Sequence, residues 1–444
     1  MKGLAGKRRW FAAFLVVLLL GCTGCSMDVD SFLKPPLAQG EQQQIQTALE
    51  TYIRDSGFSA VRYTLHYPSE GEYTSAFVVC GADGRPVQEN GGTATQAVAF
   101  YSLPSAPEET HINLLYRDAE EWVSVSDLTG FGSDILQVAF GDLDGDGVAE
   151  LLTGWNTYNS RDHRLVVLSA AGETLRVLSD DRLYTQLYAG DLTANERDEL
   201  LLLRSGSANT ASAELLTLEE NEFRSLGKAP LDGYIQQFGS MQLCKLSRAY
   251  RGLYIDAVKS GGVMITELLY YNGGQLCAPF YDPETNSNTV TARRSGLAAR
   301  DINGDGLMEI PAGTLLPGYE EGTEQSLPSY AWLTVWRAWD VITDAWRESL
   351  YTVINTADGY AVALEKTQYA DLTTEYNSVT HTLSLCRGSA RTPWLRLCVA
   401  AQMEDPGYFL VYEGHGGQPG CFAWIDDAYL DKQKVQYMVT RLEQ

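Results

Sequence analysis

The chain has 444 residues, and its 57 Asp and Glu outnumber its 33 Lys and Arg to give a net charge of −24. So acidic a surface repels nucleic acid and anionic lipid headgroups, so we expect neither as a partner. The length and the 45% apolar composition are sufficient for two or more domains with their own hydrophobic cores.

Residues 1–21 have the features of a bacterial lipoprotein signal peptide. Four basic side chains lie within the first nine residues, and the apolar run Trp10–Leu20 is 11 residues long, whereas a membrane-spanning helix needs about 20. Leu19-Leu20-Gly21-Cys22 then resembles the lipobox, in which a small residue precedes a cysteine that is diacylated and becomes the new N-terminus. We favour Cys22, which has Leu19 three residues before it, and Cys25 is the alternative.

Lipidation would place the protein on the extracytoplasmic face of the bacterial cell membrane, because two acyl chains are enough for stable anchoring. An ordinary cleaved signal peptide with an accidental cysteine is the competing interpretation. Removing residues 1–21 takes away four basic and no acidic residues, which moves the net charge from −24 to −28. Bound cations would neutralise part of that charge.

A tether and one helix follow the signal peptide. Residues 22–40 contain Pro35-Pro36 and few apolar side chains, which is typical of a linker that holds a domain away from the membrane. Residues 41–56 are predicted to form an amphipathic helix that ends at Gly57. Its apolar side chains recur near helical spacing, at Ile45, Leu49, Tyr52 and Ile53.

Six cysteines lie beyond the lipobox, and they form neither a CxxC pair nor a metal-ligand pattern with the five histidines. Most of them belong to apolar runs such as Phe77-Val78-Val79-Cys80. An exported protein can form disulfides, but a domain of this size does not need them. We therefore predict buried free thiols.

From residue 57 the chain is rich in short strands. Residues 61–67 alternate apolar and polar side chains, as a half-buried strand does. Residues 75–80 and 97–101 are predicted to form a hairpin, and two more strands follow at 112–116 and 121–125. The segment 135–140 then leads into the stretch around which the sequence is organised.

That stretch is an acidic loop, Asp142-Leu-Asp144-Gly-Asp146-Gly-Val-Ala-Glu150. Its carboxylates stand at positions 1, 3, 5 and 9, and Gly147 at position 6 permits a sharp turn. Calcium takes six to eight oxygen ligands, and alternate side chains of a tight loop point inward, so this spacing predicts a Ca²⁺ site. A plain solvated turn is the alternative, because Asp and Gly dominate turns in any case.

The loop recurs twice. Asp301, Asn303, Asp305 and Glu309 occupy the same four positions in a second copy, with Asn303 as a neutral oxygen donor. A degenerate copy keeps Asp191, Asn195 and Glu199 but has Glu196 where the glycine belongs, so its metal binding is doubtful. The loops at Asp142 and Asp191 begin 49 residues apart, and the interval of 110 residues from Asp191 to Asp301 has room for one more unit, which we place around 253–271. Periods of this length with several short strands each are typical of propeller blades.

The segment Gly141–Gly154 resembles the FG-GAP/VCBS repeat, the blade unit of integrin α-subunit propellers and of many bacterial surface proteins. Phe140-Gly141 supplies the FG, whereas Ala299-Arg300 replaces it before the copy at Asp301. The whole chain is similar to Gram-positive lipoproteins that carry such repeats. The resemblance covers roughly residues 75–315 and implies structural calcium with no activity. We therefore predict an all-β fold with a propeller-like domain at 57–350.

The region after the repeats is aromatic and then loses the acidic loops. Trp332 and Trp336 would share one face of a strand, where they could stack on a sugar ring, but packing in the core is the interpretation we favour. Residues 351–444 are predicted to form a smaller all-β or α+β domain. Its strands are placed at 360–364, 380–385, 395–400 and 408–412, with a glycine-rich loop at 414–420.

No motif for chemistry stands out in the sequence. It has no HExxH helix, no GxxxxGK[ST] loop and no nucleophile elbow between a strand and a helix. A cation-bound carboxylate is held ionised and is a poor general acid, so the loop acids suit ligands better than catalysts. We predict a non-enzymatic, calcium-stabilised protein that binds a protein or polysaccharide at the cell surface. A glycan-active hydrolase or lyase and a purely structural lipoprotein are the alternatives.

Overall fold

A computed structural model describes residues 40–57, 62–87, 92–157, 161–206, 208–293, 296–319, 327–388, 390–414, 418–428 and 430–442. The signal peptide, both lipobox cysteines and nearly all of the tether therefore lie outside the described residues. Within these ranges, none of the helices combines the length and the apolar character that crossing a membrane requires.

The described strands form six antiparallel sheets, numbered here in chain order. Sheet 1 contains β1 (Thr64–Leu65), β2 (Phe77–Cys80), β3 (Gln96–Leu103), β4 (Ala106–Asp118) and β5 (Glu121–Leu128). Sheet 2 contains β6 (Ile135–Gly141), β7 (Glu150–Trp155), β8 (His163–Ser169) and β9 (Arg176–Tyr184). Sheet 3 contains β10 (Gln186–Gly190), β11 (Glu199–Gly206), β12 (Thr210–Glu219) and β13 (Glu222–Leu231). The all-β prediction is confirmed.

The other three sheets complete the set. Sheet 4 contains β14 (Ile235–Lys245), β15 (Arg251–Lys259), β16 (Val263–Asn272) and β17 (Gln275–Cys277). Sheet 5 contains β18 (Glu309–Leu315), β19 (Trp332–Asp340), β20 (Ala345–Asn355), β21 (Tyr360–Leu364) and β27 (Val439–Arg441). Sheet 6 contains β22 (Leu372–Asn377), β23 (Thr382–Arg387), β24 (Thr392–Ala400), β25 (Phe409–Tyr412) and β26 (Gly420–Ile425).

The described residues also form three α-helices, α1 (Glu41–Asp55), α2 (Lys366–Tyr369) and α3 (Lys432–Met438), and a 3₁₀ turn at Ser329–Ala331. The helix predicted at 41–56 is confirmed as α1, which buries Ile45, Leu49 and Ile53 against sheet 1. The helix thus covers one face of that sheet, as its spacing of apolar residues predicts.

Consecutive sheets pack face to face along the chain. Five apolar clusters each join two neighbours, from sheets 1 and 2 to sheets 5 and 6. The run Leu200–Leu203 in β11 explains the pattern, because successive side chains of a strand point to opposite faces. Leu200 and Leu202 pack toward sheet 2, whereas Leu201 and Leu203 pack toward sheet 4. A strand buried on both faces needs this continuous apolar run.

The structure refines the predicted strands. The hairpin of residues 75–80 and 97–101 is confirmed by the pairing of β2 with β3, whereas the strand predicted over 61–67 is reduced to β1. The extra unit placed around 253–271 is sheet 4. The boundary predicted between residues 350 and 351 falls inside β20, and one apolar cluster joins sheets 5 and 6 across it. The division into domains stays a prediction.

Sheet 4 and the segment after it enclose a network of buried charges. The Arg293 guanidinium lies 2.8 Å from Oδ1 of Asp256, and their side chains are only 2% and 5% exposed. Lys259 lies 2.6 Å from the buried carboxylate of Asp232. Glu267 accepts a hydrogen bond from the Asp232 backbone N–H, and burial raises the pKa of Glu267 to about 7. These contacts fix the chain between β17 and the loop at Asp301.

Candidate metal centre

The first acidic loop joins β6 to β7 and is folded around the carboxylate of Asp142. Its Oδ1 accepts a hydrogen bond from the N–H of Gly145 at 2.8 Å, and its Oδ2 accepts one from the N–H of Gly147 at 3.1 Å. Both glycines have positive φ, at 76° and 89°, a conformation that costs glycine least. The sequence pattern of alternating Asp and Gly is therefore a requirement of the turn as well as of a ligand set.

The turn brings three of the four predicted ligands together. One carboxylate oxygen from each of Asp142, Asp144 and Asp146 lies within 4.8 Å of the others. Glu150 is outside that group, at the start of β7, where its Oε2 accepts a hydrogen bond from the N–H of Leu143 at 2.8 Å. Clustered oxygen donors of this kind fit a hard cation such as Ca²⁺.

Burial strengthens the case for a counter-charge at this loop. Glu150 is 1% exposed, and burial raises its pKa to about 7, with further increases from the charges of Asp144 and Asp146. Burial likewise raises the pKa of Asp144. A nearby cation favours the ionised form of a carboxyl group, so a bound ion would oppose each of these shifts.

The loop at Asp301 repeats the geometry before β18. Its Oδ1 and Oδ2 accept hydrogen bonds from the N–H groups of Gly304 at 2.7 Å and Gly306 at 2.8 Å. The Asn303 amide donates to Oδ2 of Asp305 at 3.1 Å and to Oε1 of Glu309 at 3.2 Å. The two carboxylates are thus linked by a neutral amide. The backbone before this loop pairs with β18 through one isolated β-bridge, between Arg300 and Glu309.

The degenerate loop at Asp191 keeps the same shape without its glycines. Asp191 accepts hydrogen bonds from the N–H groups of Asn195 and Glu196, both at 2.9 Å. Ala194 and Glu196 adopt φ values of 61° and 67°, where the first loop has glycine. Non-glycine residues in this region carry a cost in backbone energy. The turn is therefore kept by its hydrogen bonds despite that cost.

A guanidinium supplies positive charge to the degenerate loop. Nη1 of Arg251 lies 2.8 Å from Oδ2 of Asp191 and also donates to the Asp191 carbonyl at 3.1 Å. Arg251 is the first residue of β15, the position that Glu150 holds in β7 and Glu199 holds in β11. The contact of Arg251 with Asp191 was not predicted from the sequence. Arg251 nevertheless occupies, in the next unit, the position at which the loops at Asp142 and Asp191 have glutamate. The positive charge beside the Asp191 carboxylate is therefore supplied by the Arg251 side chain.

The loops of sheets 1, 2 and 3 contact one another at the same end of the fold. The N–H of Ala149 donates to the Asp83 carbonyl at 2.8 Å, which joins the first two loops. Oδ2 of Asp198 accepts from the Asp142 N–H at 3.0 Å and lies 2.6 Å from Nη2 of Arg85. Asp198 therefore ties the degenerate loop to both of its predecessors. These contacts hold residues 81–86, 142–149 and 191–198 together.

The prediction that Trp336 could stack on a ligand is corrected by the structure. This side chain is 1% exposed, and its Nε1 donates to Oγ1 of Thr352 at 2.9 Å. A ring enclosed in this way has no face for a ligand, so the stacking prediction is wrong for Trp336 and core packing accounts for it. Trp332 is half-buried and lies over Gly313, and stacking on a ligand stays a prediction there.

All six cysteines beyond the lipobox are free thiols, as predicted. Four of them are buried and two, Cys244 and Cys277, are half-buried. Burial raises the pKa of Cys80 and of Cys421 to about 12, which makes both thiols unreactive.

Comparisons with known proteins add little to this geometry. No family model matches the chain, and no curated protein matches it. Among solved structures it is similar to a provisionally assigned 6-phosphogluconolactonase from Bacteroides fragilis, at 12% identity and a TM-score of 0.26, over 73% of this chain and 92% of that one. A hypothetical protein from Leishmania major gives 10% identity and a TM-score of 0.25, over 88% and 96% of the two chains.

Proposed function

We propose that this protein is a calcium-stabilised, non-enzymatic binding scaffold held by a lipid anchor at the extracytoplasmic face of a bacterial membrane. The observation that carries the proposal is the convergence of Asp142, Asp144 and Asp146 within 4.8 Å. The lipid anchor rests on the lipobox at Cys22, with Cys25 as the alternative. The partner is a protein or a polysaccharide of the cell surface.

Calcium would act here by holding a turn between two buried strands. Side-chain oxygens of Asp142, Asp144 and Asp146 would bind the ion at the first loop, and Asp301, Asn303 and Asp305 would bind it at the second. Binding would remove the repulsion among these carboxylates and fix the strands that leave each loop. A rigid scaffold loses less entropy when it captures a partner, which is how a structural ion would assist binding.

Calcium is expected to stabilise the full-length protein, purified in detergent, against unfolding. A ligand that binds only the folded state adds RT ln(1 + [L]/Kd), or about 2.7 kcal/mol when it is a hundredfold above its Kd. Thermal unfolding is to be followed with calcium and then with excess chelator. We expect the calcium-induced rise in Tm to shrink in the double variant Asp142→Ala/Asp144→Ala.

Asp191→Asn is the matched control for this experiment. Its carboxylate has the same place in the degenerate loop, but Arg251 already compensates its charge. The substitution is expected to lower the Tm while leaving the increment due to calcium unchanged. Equal Tm values with calcium and with chelator in the wild type would contradict the calcium scaffold and leave the acidic loops as turns.

Lipid attachment is tested separately with a radiolabelled fatty acid in a bacterial host. The wild type and Cys25→Ser are expected to incorporate the label, and Cys22→Ser is expected to lose it and to be released from the membrane fraction. Loss in Cys25→Ser instead would move the anchor to the alternative cysteine. Incorporation into neither the wild type nor the variants would refute the anchor and leave the calcium scaffold intact.

A further inference from the structure

A second candidate site lies far from the acidic loops in sequence, where sheets 5 and 6 meet. It is a cavity of about 690 Å³ beside the turn between β20 and β21 and the turn between β22 and β23. Among the described residues, five side chains with polar atoms line it: Asp358, His381, Tyr412, Gln418 and Arg441. All of them except the Asp358 carboxylate can donate a hydrogen bond, so the cavity is suited to a ligand that accepts hydrogen bonds.

His381 is held in place by a buried carboxylate. Its Nδ1 lies 2.7 Å from Oδ1 of Asp358, whose side chain is only 2% exposed. Oδ2 of the same carboxylate accepts from the Asn355 amide at 2.9 Å, which fixes its orientation. With Asp358 as the acceptor, Nδ1 carries a proton, and Nε2 is left for another partner.

The backbone at His381 supports a specific placement of the ring. Its φ is 48°, in the left-handed region that non-glycine residues seldom adopt. Strained positions of this kind persist where the surrounding structure determines them, and they concentrate at ligand sites. Here the turn carries an imidazole to the rim of the cavity and holds it against Asp358.

Arg441 contributes a positive charge that has no ion-pair partner among the described residues. Its backbone is fixed by the pairing of β27 with β21 and by the hydrogen bond from the Leu442 N–H to the Gly359 carbonyl at 2.9 Å. Among the residues that the structure describes, none forms an ion pair or hydrogen bond with its guanidinium. In a chain with a net charge of −24, a half-buried arginine that has no carboxylate partner in the described part of the chain needs an explanation.

We propose that this cavity binds a small anion that bears a carboxylate or phosphate group. Arg441 would pair with the anion through its planar fork of N–H donors, and His381, as an imidazolium, would donate a second hydrogen bond from Nε2. The Tyr412 hydroxyl and the Gln418 amide would complete the set of donors. An acidic sugar unit and a phosphorylated compound both present this chemistry.

The proposal is tested by calorimetric titration of the full-length protein with inorganic phosphate and, separately, with glucuronate. Saturable binding of at least one anion is expected in the wild type. Arg441→Gln should weaken it by about tenfold or more, because a hydrogen bond to a charged group contributes about 1.5–3 kcal/mol. Binding of phosphate alone, of glucuronate alone or of both would support the site and identify its preferred group.

Arg396→Gln is the matched control. Arg396 belongs to sheet 6, the other sheet beside the cavity, but its guanidinium lies over the Trp424 ring at 4.6 Å and does not line this cavity. Its replacement should leave the affinity unchanged. His381→Gln should weaken binding by several-fold even if Arg441→Gln fails to fold. Absence of saturable binding by both anions, or equal affinities in the wild type and the two cavity variants, would overturn the proposal.

Discussion

Arg293→Met is expected to lower the free energy of unfolding by about 3–5 kcal/mol, the usual cost of removing one partner from a buried ion pair. The substitution leaves Asp256 with a buried charge. The hydroxyls of Thr266 and Ser240 still donate to that carboxylate, at 2.5 Å and 3.1 Å, but neither carries a compensating charge. The measurement is urea unfolding followed by tryptophan fluorescence.

The control for this prediction is Arg164→Met, which breaks an ion pair of similar length in a different environment. Arg164 lies 2.9 Å from Asp180, and their side chains are 36% and 52% exposed. Exposed pairs contribute about 0–1 kcal/mol, so the change in unfolding free energy should be small. Equal losses in the two variants would show that water reaches Asp256 in the folded protein.

Trp336→Ala is expected to cost about 3–5 kcal/mol, as large-to-small substitutions of buried tryptophans do. The indole packs with Ile354 and Ala361 between β20 and β21, and its loss also leaves the Thr352 hydroxyl without the indole N–H. Urea unfolding measures this loss as well. Trp332→Ala is the matched comparison, because that ring is only half-buried and its removal should cost less.

The opposite order would contradict the placement of these two rings. If Trp332→Ala destabilised the protein more than Trp336→Ala, Trp332 would be the more tightly packed of the two rings on that face of β19. If Trp336→Ala left stability unchanged but abolished binding of a polysaccharide, the ring would be a ligand platform after all. Both results are read from the same pair of variants.

Local patterns in the sequence predicted the parts of the structure that depend on near neighbours. The acidic loops, α1 and the hairpin of β2 and β3 each follow from residue spacing within one element or between two consecutive elements. Alternation of Trp332, Thr334 and Trp336 predicted a strand but did not decide which face would be buried. That choice depends on what packs against the strand.

Contacts between distant segments could not be predicted from the sequence. Arg251 meets Asp191 across 60 residues, and His381 meets Asp358 across 23, in each case because two separate turns come to the same end of the fold. The boundary at residue 350 was drawn where the acidic loops cease, although sheet 5 continues beyond it to residue 364 and takes up residues 439–441. Motif content and packing change at different places in this chain.

The last strand has a consequence for the order in which the protein can be assembled. Sheets 1 to 4 are built from consecutive segments, so each can form and pack on its predecessor as soon as its own residues are available. Sheet 5 is different, because β27 joins it from the far end of the chain, after all of sheet 6. The C-terminal half therefore closes only when residues 439–441 are available. Loss of a few terminal residues would uncover the edge of β21 and remove Val439 from the core between sheets 5 and 6.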